Sequence, residues 1–172
     1  MNFLGDNEMI MCKAWIHFAK RFNPDAIITI IHHYPLLEIK RYAARYKKIH
    51  FIRLTDEEMR PEMVNGHTDH PCQEIKLSVW KQAKKYNVRK FFYIDCDAFI
   101  LGSLKLWWNH IDDKPFIAIN EQIAPYDPIY NAGVFSYSSS KNFITYEKLL
   151  AQYRKDNNSI KLHLGDQGLT NT

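Results

Sequence analysis

Short apolar runs alternate with amphipathic segments along this chain, and that alternation restricts it to an α/β architecture. The clearest run is Ala26-Ile27-Ile28-Thr29-Ile30-Ile31, which is β-branched and almost continuously apolar, the pattern of a parallel strand covered on both faces. Residues 49–53 and the aromatic run Lys90-Phe91-Phe92-Tyr93-Ile94 repeat it, and further strands are expected at 115–120 and 134–137. Helical periodicities lie between them. Met11, Trp15, Phe18 and Phe22 line one face of a helix that starts at a capping Asp6 or Asn7 and stops before Asn23-Pro24. Leu36, Ile39, Ala43 and Tyr46 form the inward stripe of a second helix over 36–48, with Lys40, Arg41, Arg45 and Lys47 turned to solvent. Ile75, Val79, Ala83 and Tyr86 mark a third over 74–86, and Phe143, Tyr146, Leu150 and Tyr153 a fourth over 139–155. Residues 54–73 have no period and read as one long loop. The expected fold is α/β with a mainly parallel central sheet flanked by helices.

A chain of 172 residues that is 46% hydrophobic and 14% aromatic can bury a sizeable core as one domain, and no part of it has a disordered composition. The net charge of +4 favours phosphate-bearing ligands but falls far short of a nucleic-acid-binding stripe, so no nucleic-acid partner is expected. No apolar run approaches the length needed to cross a bilayer, and the start lacks the basic-then-apolar order of a secretory signal. No integral membrane segment is therefore expected. Cys12, Cys72 and Cys96 are odd in number, far apart and in no C-x-x-C arrangement, which argues for free thiols in a reducing, cytoplasmic setting.

Ligands of open α/β sheets bind beyond the carboxyl ends of strands, and there this chain places Asp95 and Asp97, directly after the 90–94 run. In an extended chain residues two apart share a face, so the two carboxylates are expected to point together into a crevice while Cys96 faces away. Paired carboxylates seat a hard cation such as Mg²⁺ or Mn²⁺, which completes its coordination with diphosphate oxygens and neutralises a leaving group. A D-x-D alone is weak, because acidic residues also populate caps and turns. The run His67-Thr68-Asp69-His70-Pro71-Cys72 holds zinc-ligand residue types at no standard spacing and reads instead as a ligand-facing loop. His32-His33 closes a strand, where histidines either reach the crevice or are satisfied locally.

Four motifs then occur in one order. Lys76-Leu77-x-x-Trp80 precedes the D-x-D strand. Phe92-Tyr93-Ile94-Asp95-Cys96-Asp97-Ala98-Phe99-Ile100-Leu101-Gly102 is followed by Leu106-Trp107, then by Tyr130-Asn131-Ala132-Gly133-Val134-Phe135 and by Gly165-Asp166-Gln167-Gly168-Leu169-Thr170-Asn171. Together they resemble glycosyltransferase family 8, the glycogenin-like enzymes, over residues 76–171. The first third is similar only in its strand and helix pattern. The resemblance implies a GT-A fold (the nucleotide-diphospho-sugar transferase fold), a UDP-hexose donor, Mn²⁺ or Mg²⁺, and transfer with retention to a hydroxyl of a carbohydrate or protein acceptor. It implies that Asp97 is the principal metal ligand and that Asp95 contacts both metal and ribose. Asn131, Ala132 and Gly133 would line the sugar pocket, Asp166 and Gln167 would act at the transferred sugar, and Lys76 would offset phosphate charge.

Against the family pattern, His163 stands where an acidic residue is expected, the opening strand is shortened or missing ahead of the first helix, and Thr172 is reached before the downstream histidine that commonly completes the metal site in this family. The expectation is thus one GT-A-like domain over 1–172, truncated at both ends, with its oligomeric state open to a homodimer. Two alternatives are a nucleotide-sugar-binding domain with little catalysis and a nucleotidyltransferase. For the latter no Gly-rich phosphate loop appears near the N-terminus.

Overall fold

A computed structural model describes residues 6–59, 79, 81–111, 116–121 and 129–138. In chain order they form α1 (Asp6–Phe22), β1 (Ile28–His32), α2 (Leu37–Ala43), β2 (Ile49–Arg53), α3 (Asp56–Met59), α4 (helical at 79 and 81–85), β3 (Lys90–Ile94), α5 (Lys105–His110), β4 (Phe116–Glu121) and β5 (Ile129–Ser138). The architecture is mixed α/β. The described residues fall into two units, one drawn from Met1–Glu57 and Asp95–Asn109, the other from Glu58–Ile94 and His110–Thr172.

In the first unit β1 and β2 pair in parallel, from Ile28 opposite Ile49 to His32 opposite Arg53, with α2 as the crossover of a βαβ unit. The ladder is prolonged by the Leu54 N–H, which donates to the His32 carbonyl at 2.7 Å. The inward stripe of α2 is as its spacing requires: Leu36, Ile39 and Ala43 form a buried cluster with Ile16 of α1, against which Trp15, Ile30, Ile49 and Phe51 pack. Burying each of the two isoleucines contributes about 1.5–3 kcal/mol. The basic residues at 40, 41, 45 and 47 are exposed, as expected. The helix itself is shorter than its 36–48 pattern, ending at Ala43 with turns up to Lys48, whose φ of 60° carries the chain into β2.

The isoleucine run departs from expectation in two ways. The strand begins at Ile28, not at 26, because the buried Lys20 ammonium takes the carbonyls of Pro24 (3.2 Å) and Ala26 (2.6 Å) and holds that stretch as a loop. Burial, with Lys48 adding repulsion, lowers the pKa of Lys20 from its usual 10.5, while Asp25 opposes the shift. Nor is β1 covered on both faces. Ile28 and His32 are buried and Ile30 packs against the α1–α2 cluster, while on the opposite face Thr29 is exposed and Ile31 half-buried, so that face is only partly covered.

In the second unit β5 is central, with β3 and β4 on either side, and both pairings are antiparallel. The expectation of a mainly parallel sheet is therefore corrected for these strands. The physical reason for the β4–β5 pair is connection length: residues 122–128 are too few for the crossover of about a dozen residues that parallel pairing needs. Phe135, 2% exposed, is the anchor of this sheet, stacked on Tyr93 with centroids 4.8 Å apart and edge-on to Phe91 at 6.3 Å. Helix α4 buries Val79, Gln82 and Ala83, while Tyr86, expected inward, is exposed. It stops in a Schellman motif: Asn87 adopts φ 53°, its N–H donates to the Lys84 carbonyl (3.1 Å), and the Val88 N–H donates to that of Ala83 (2.7 Å). Glu58 accepts hydrogen bonds from Gln82 Nε2 (3.3 Å) and Lys85 Nζ (3.2 Å), tying α3 to α4. The rest of the 54–73 loop, the start of the 74–86 helix and the 139–155 helix lie outside the described residues.

Candidate functional site

Asp95, Cys96 and Asp97 do not continue β3 as extended chain. They form a turn closed by the Ala98 N–H, which donates to the Asp95 carbonyl at 3.1 Å. The alternating-face expectation for this triplet is corrected accordingly, since a turn does not obey a period of two. Asp95 is half-buried, whereas Cys96 and Asp97 are exposed, so both the Asp97 carboxylate and the thiol meet solvent.

From Cys96 to Leu104 the chain is fastened along α1. The Cys96 thiol lies close enough to that of Cys12 for each to influence the other's protonation. Phe18 meets Phe99 edge-on, with centroids 5.8 Å apart. The Asn23 side chain then clasps the segment at both polar ends, its Nδ2 donating to the Gly102 carbonyl (3.2 Å) and its Oδ1 accepting from the Leu104 N–H (2.8 Å). Phe18 and Asn23 thus meet Phe99 and Gly102 in chain order, so α1 holds the segment that follows the D-x-D turn. A Cβ at Gly102 would meet open space, so packing does not demand that glycine. Leu106 and Trp107 of α5 are exposed.

The neighbouring Cys12 thiol is the largest influence on that of Cys96 and lowers its pKa from 9.0 to about 7. Burial and the charges of Asp97 and Asp95 oppose the shift. The same pairing pushes Cys12 strongly the other way, with burial, the charge of Cys96 and Glu8 adding to the rise.

Asn131, Ala132 and Gly133 lie on β5. The β3–β5 pairing runs to Ile94 opposite Val134, so β5 carries these three residues past the carboxyl end of β3. There the register with β4 jumps: Ala118 faces Phe135 but Ile119 faces Asn131, inserting residues 132–134 as a bulge. A glycine in a bulge allows close backbone approach by a ligand or another strand.

The hydrogen bonds of His32 and His33 lie within their own unit. Nδ1–H of His32 donates to the Tyr34 carbonyl (2.7 Å), while its buried Nε2 has no hydrogen-bond partner among the described residues. His33 reaches the Leu54 carbonyl (3.3 Å) and Asp56 (3.4 Å), next to a shallow cavity of about 320 Å³ lined by Arg53 to Asp56. Burial lowers the pKa of His32 below 6.5, opposed by the Tyr34 bond and reinforced by Lys40, Arg53 and His33. In the window between that lowered value and 6.5 the unfolded chain binds a proton that the folded chain does not, so stability is complete above the window and is lost as pH falls through it. Urea midpoints should therefore drop from about pH 7 to about pH 5, and His32→Leu should flatten that slope. Equal slopes in the two proteins would exclude His32 as the cause.

Lys76, Asp166, Gln167 and the 67–72 cluster lie outside the described residues. Among the described residues no group of three or more His, Cys, Asp or Glu side chains is gathered to hold a metal ion, and the D-x-D turn offers two carboxylates. That donor set fits Mg²⁺ or Mn²⁺ held by one or two carboxylates and completed by phosphate oxygens and water. No helix among the described residues is long and apolar enough to cross a membrane. Phe18 and Asn23 carry no signal in the sequence as supports of the segment after the turn: Phe18 is legible only as part of an apolar stripe, and nothing local marks Asn23 for this contact. The chain matches no family model and no curated protein.

Proposed function

We propose that this chain is a metal-dependent glycosyltransferase domain of GT-A type that moves a hexose from UDP-hexose to a carbohydrate or protein hydroxyl with retention. The observation that carries the reading is the D-x-D turn: a half-buried and an exposed carboxylate directly after an aromatic strand, in a segment that Asn23 of α1 holds further along at Gly102 and Leu104. The ordered motifs at residues 76–80, 92–107, 130–135 and 165–171 support it. A bound Mn²⁺ or Mg²⁺ supplies charge neutralisation on the departing diphosphate. Asp97 holds that cation, and Asp95 shares it while accepting from the ribose. Lys76 offsets phosphate charge. Asn131, Ala132 and Gly133 border the hexose. Asp166 and Gln167 orient the sugar so that the acceptor hydroxyl attacks from the face the diphosphate leaves.

Purified protein should release UDP from a UDP-hexose when Mn²⁺ or Mg²⁺ is present and stop when a chelator removes it. Turnover that is indifferent to chelation would contradict the cation's role. The pairing of only two carboxylates among the described residues favours one alternative, a domain that binds the donor without turning it over. Calorimetric binding of UDP and Mn²⁺ without product would select that alternative.

A further inference from the structure

Residues 36–53 carry six lysines and arginines against one acidic residue, Glu38, so this stretch alone holds more positive charge than the net +4 of the whole chain. The fold sets most of that charge on one surface. The buried stripe of α2, Leu36, Ile39 and Ala43, leaves Leu37 and Arg41 one turn apart on the opposite face, and Arg45, Lys47 and Lys48 follow in the exposed turns that lead into β2. Neighbouring carboxylates do not cancel it. Glu38 is taken by Lys13 of α1 at 3.3 Å, and the Asp25 side chain, 98% exposed, meets Lys48 at 3.8 Å, a pair that water and salt screen. Arg41, Arg45 and Lys47 have no acidic partner among the described residues. Leu37, on the same face as Arg41, is 58% exposed.

We propose that the face formed by Leu37, Arg41, Arg45, Lys47 and Lys48 docks this chain on the surface of a bilayer that contains anionic phospholipids. The inference goes beyond the proposed transfer reaction and does not rest on it. A cluster of about four to eight Lys and Arg on an amphipathic helix is drawn to the negative potential of such a bilayer, each cation raising affinity roughly fivefold. The exposed leucine selects a bilayer over a nucleic acid. Among headgroups its side chain leaves water at the acyl boundary, whereas a phosphate backbone gives an apolar group nothing in return for the cations' contacts. Attachment is to the surface, since no helix among the described residues is long and apolar enough to cross a membrane.

The test sediments the full chain with vesicles of phosphatidylcholine alone and with vesicles of equal parts phosphatidylcholine and phosphatidylserine. Binding is expected only to the serine-containing vesicles and should be lost in about 1 M salt, where the screening length falls to about 3 Å. Arg41→Gln/Arg45→Gln/Lys47→Gln should lower that affinity roughly a hundredfold, and Leu37→Ser should lower it severalfold while leaving the salt dependence in place. Acetylation footprinting of the unaltered chain locates the face without any variant, so poor folding of the triple variant does not decide the matter. Serine-containing vesicles should protect Lys47 and Lys48 and leave Lys81 and Lys84 of α4, which are exposed, as reactive as before. Equal binding to both kinds of vesicle, binding to neither, or protection confined to lysines outside residues 40–48 would overturn the proposal. So would release of the bound protein by a random-sequence DNA duplex at equal phosphate concentration, which would make the face a general polyanion surface.

Discussion

Asp97→Ala is expected to lower Mn²⁺-dependent UDP release by roughly a hundredfold or more while leaving the circular dichroism spectrum unchanged. The side chain is exposed at the D-x-D turn, so its removal opens no cavity in the core, and the turn's hydrogen bond from Ala98 is made to the Asp95 backbone. The loss therefore falls on cation binding and not on folding. Asp97→Asn separates charge from shape: it keeps the volume and one acceptor oxygen, and it should lose nearly as much because the neutral amide no longer offsets the cation's charge. Turnover at the level of the unaltered protein in either variant would remove Asp97 from the mechanism.

Phe135→Ala carries the largest expected effect on stability. The ring is 2% exposed on the central strand and touches two aromatic partners across the β3 pairing, so truncation loses its transfer free energy and leaves a void that the flanking sheet cannot fill. A loss of about 3–5 kcal/mol is expected in urea unfolding followed by circular dichroism, and Phe135→Leu should recover more than half of it because most of the volume returns. A loss below about 1 kcal/mol would mean that this strand is not the anchor of its sheet.

How much of the fold is legible in the sequence depends on the range of the interaction that decides each feature. The bounds of α1, β2 and β3 follow from local apolar spacing, and the inward stripe of α2 can be read directly from Leu36, Ile39 and Ala43. The first residues of the isoleucine run look like strand, but a buried ammonium from α1 claims two carbonyls there, and no local pattern reveals that. Strand β5 is longer than its apolar pattern because Asn131 and Gly133 have poor strand propensity; the bulge that accommodates them is defined by pairing with Ala118 and Ile119. Strand direction also escapes the alternation of elements, since short connections such as 122–128 decide it and local apolarity does not.

The candidate site divides in the same way. That Asp95 and Asp97 sit just past an apolar strand is readable from spacing. Their placement on a turn is not, because the single Ala98 to Asp95 bond overrides strand periodicity. Cys12 is legible only as a thiol without a neighbour at motif distance. Its nearness to Cys96 depends on how the chain beyond β3 is fastened along α1, which Phe99 and the polar ends at Gly102 and Leu104 determine.

The central claim is that the D-x-D turn grips a divalent cation that in turn grips a diphosphate. Electron paramagnetic resonance of Mn²⁺ measures this directly, because the free-ion signal disappears on binding. Titrating the reduced protein into Mn²⁺ with UDP should quench the signal to one site per chain. Without UDP, or with Asp97→Ala, the quenching should be far weaker. Equal quenching by Asp97→Ala and by the unaltered protein would contradict the account.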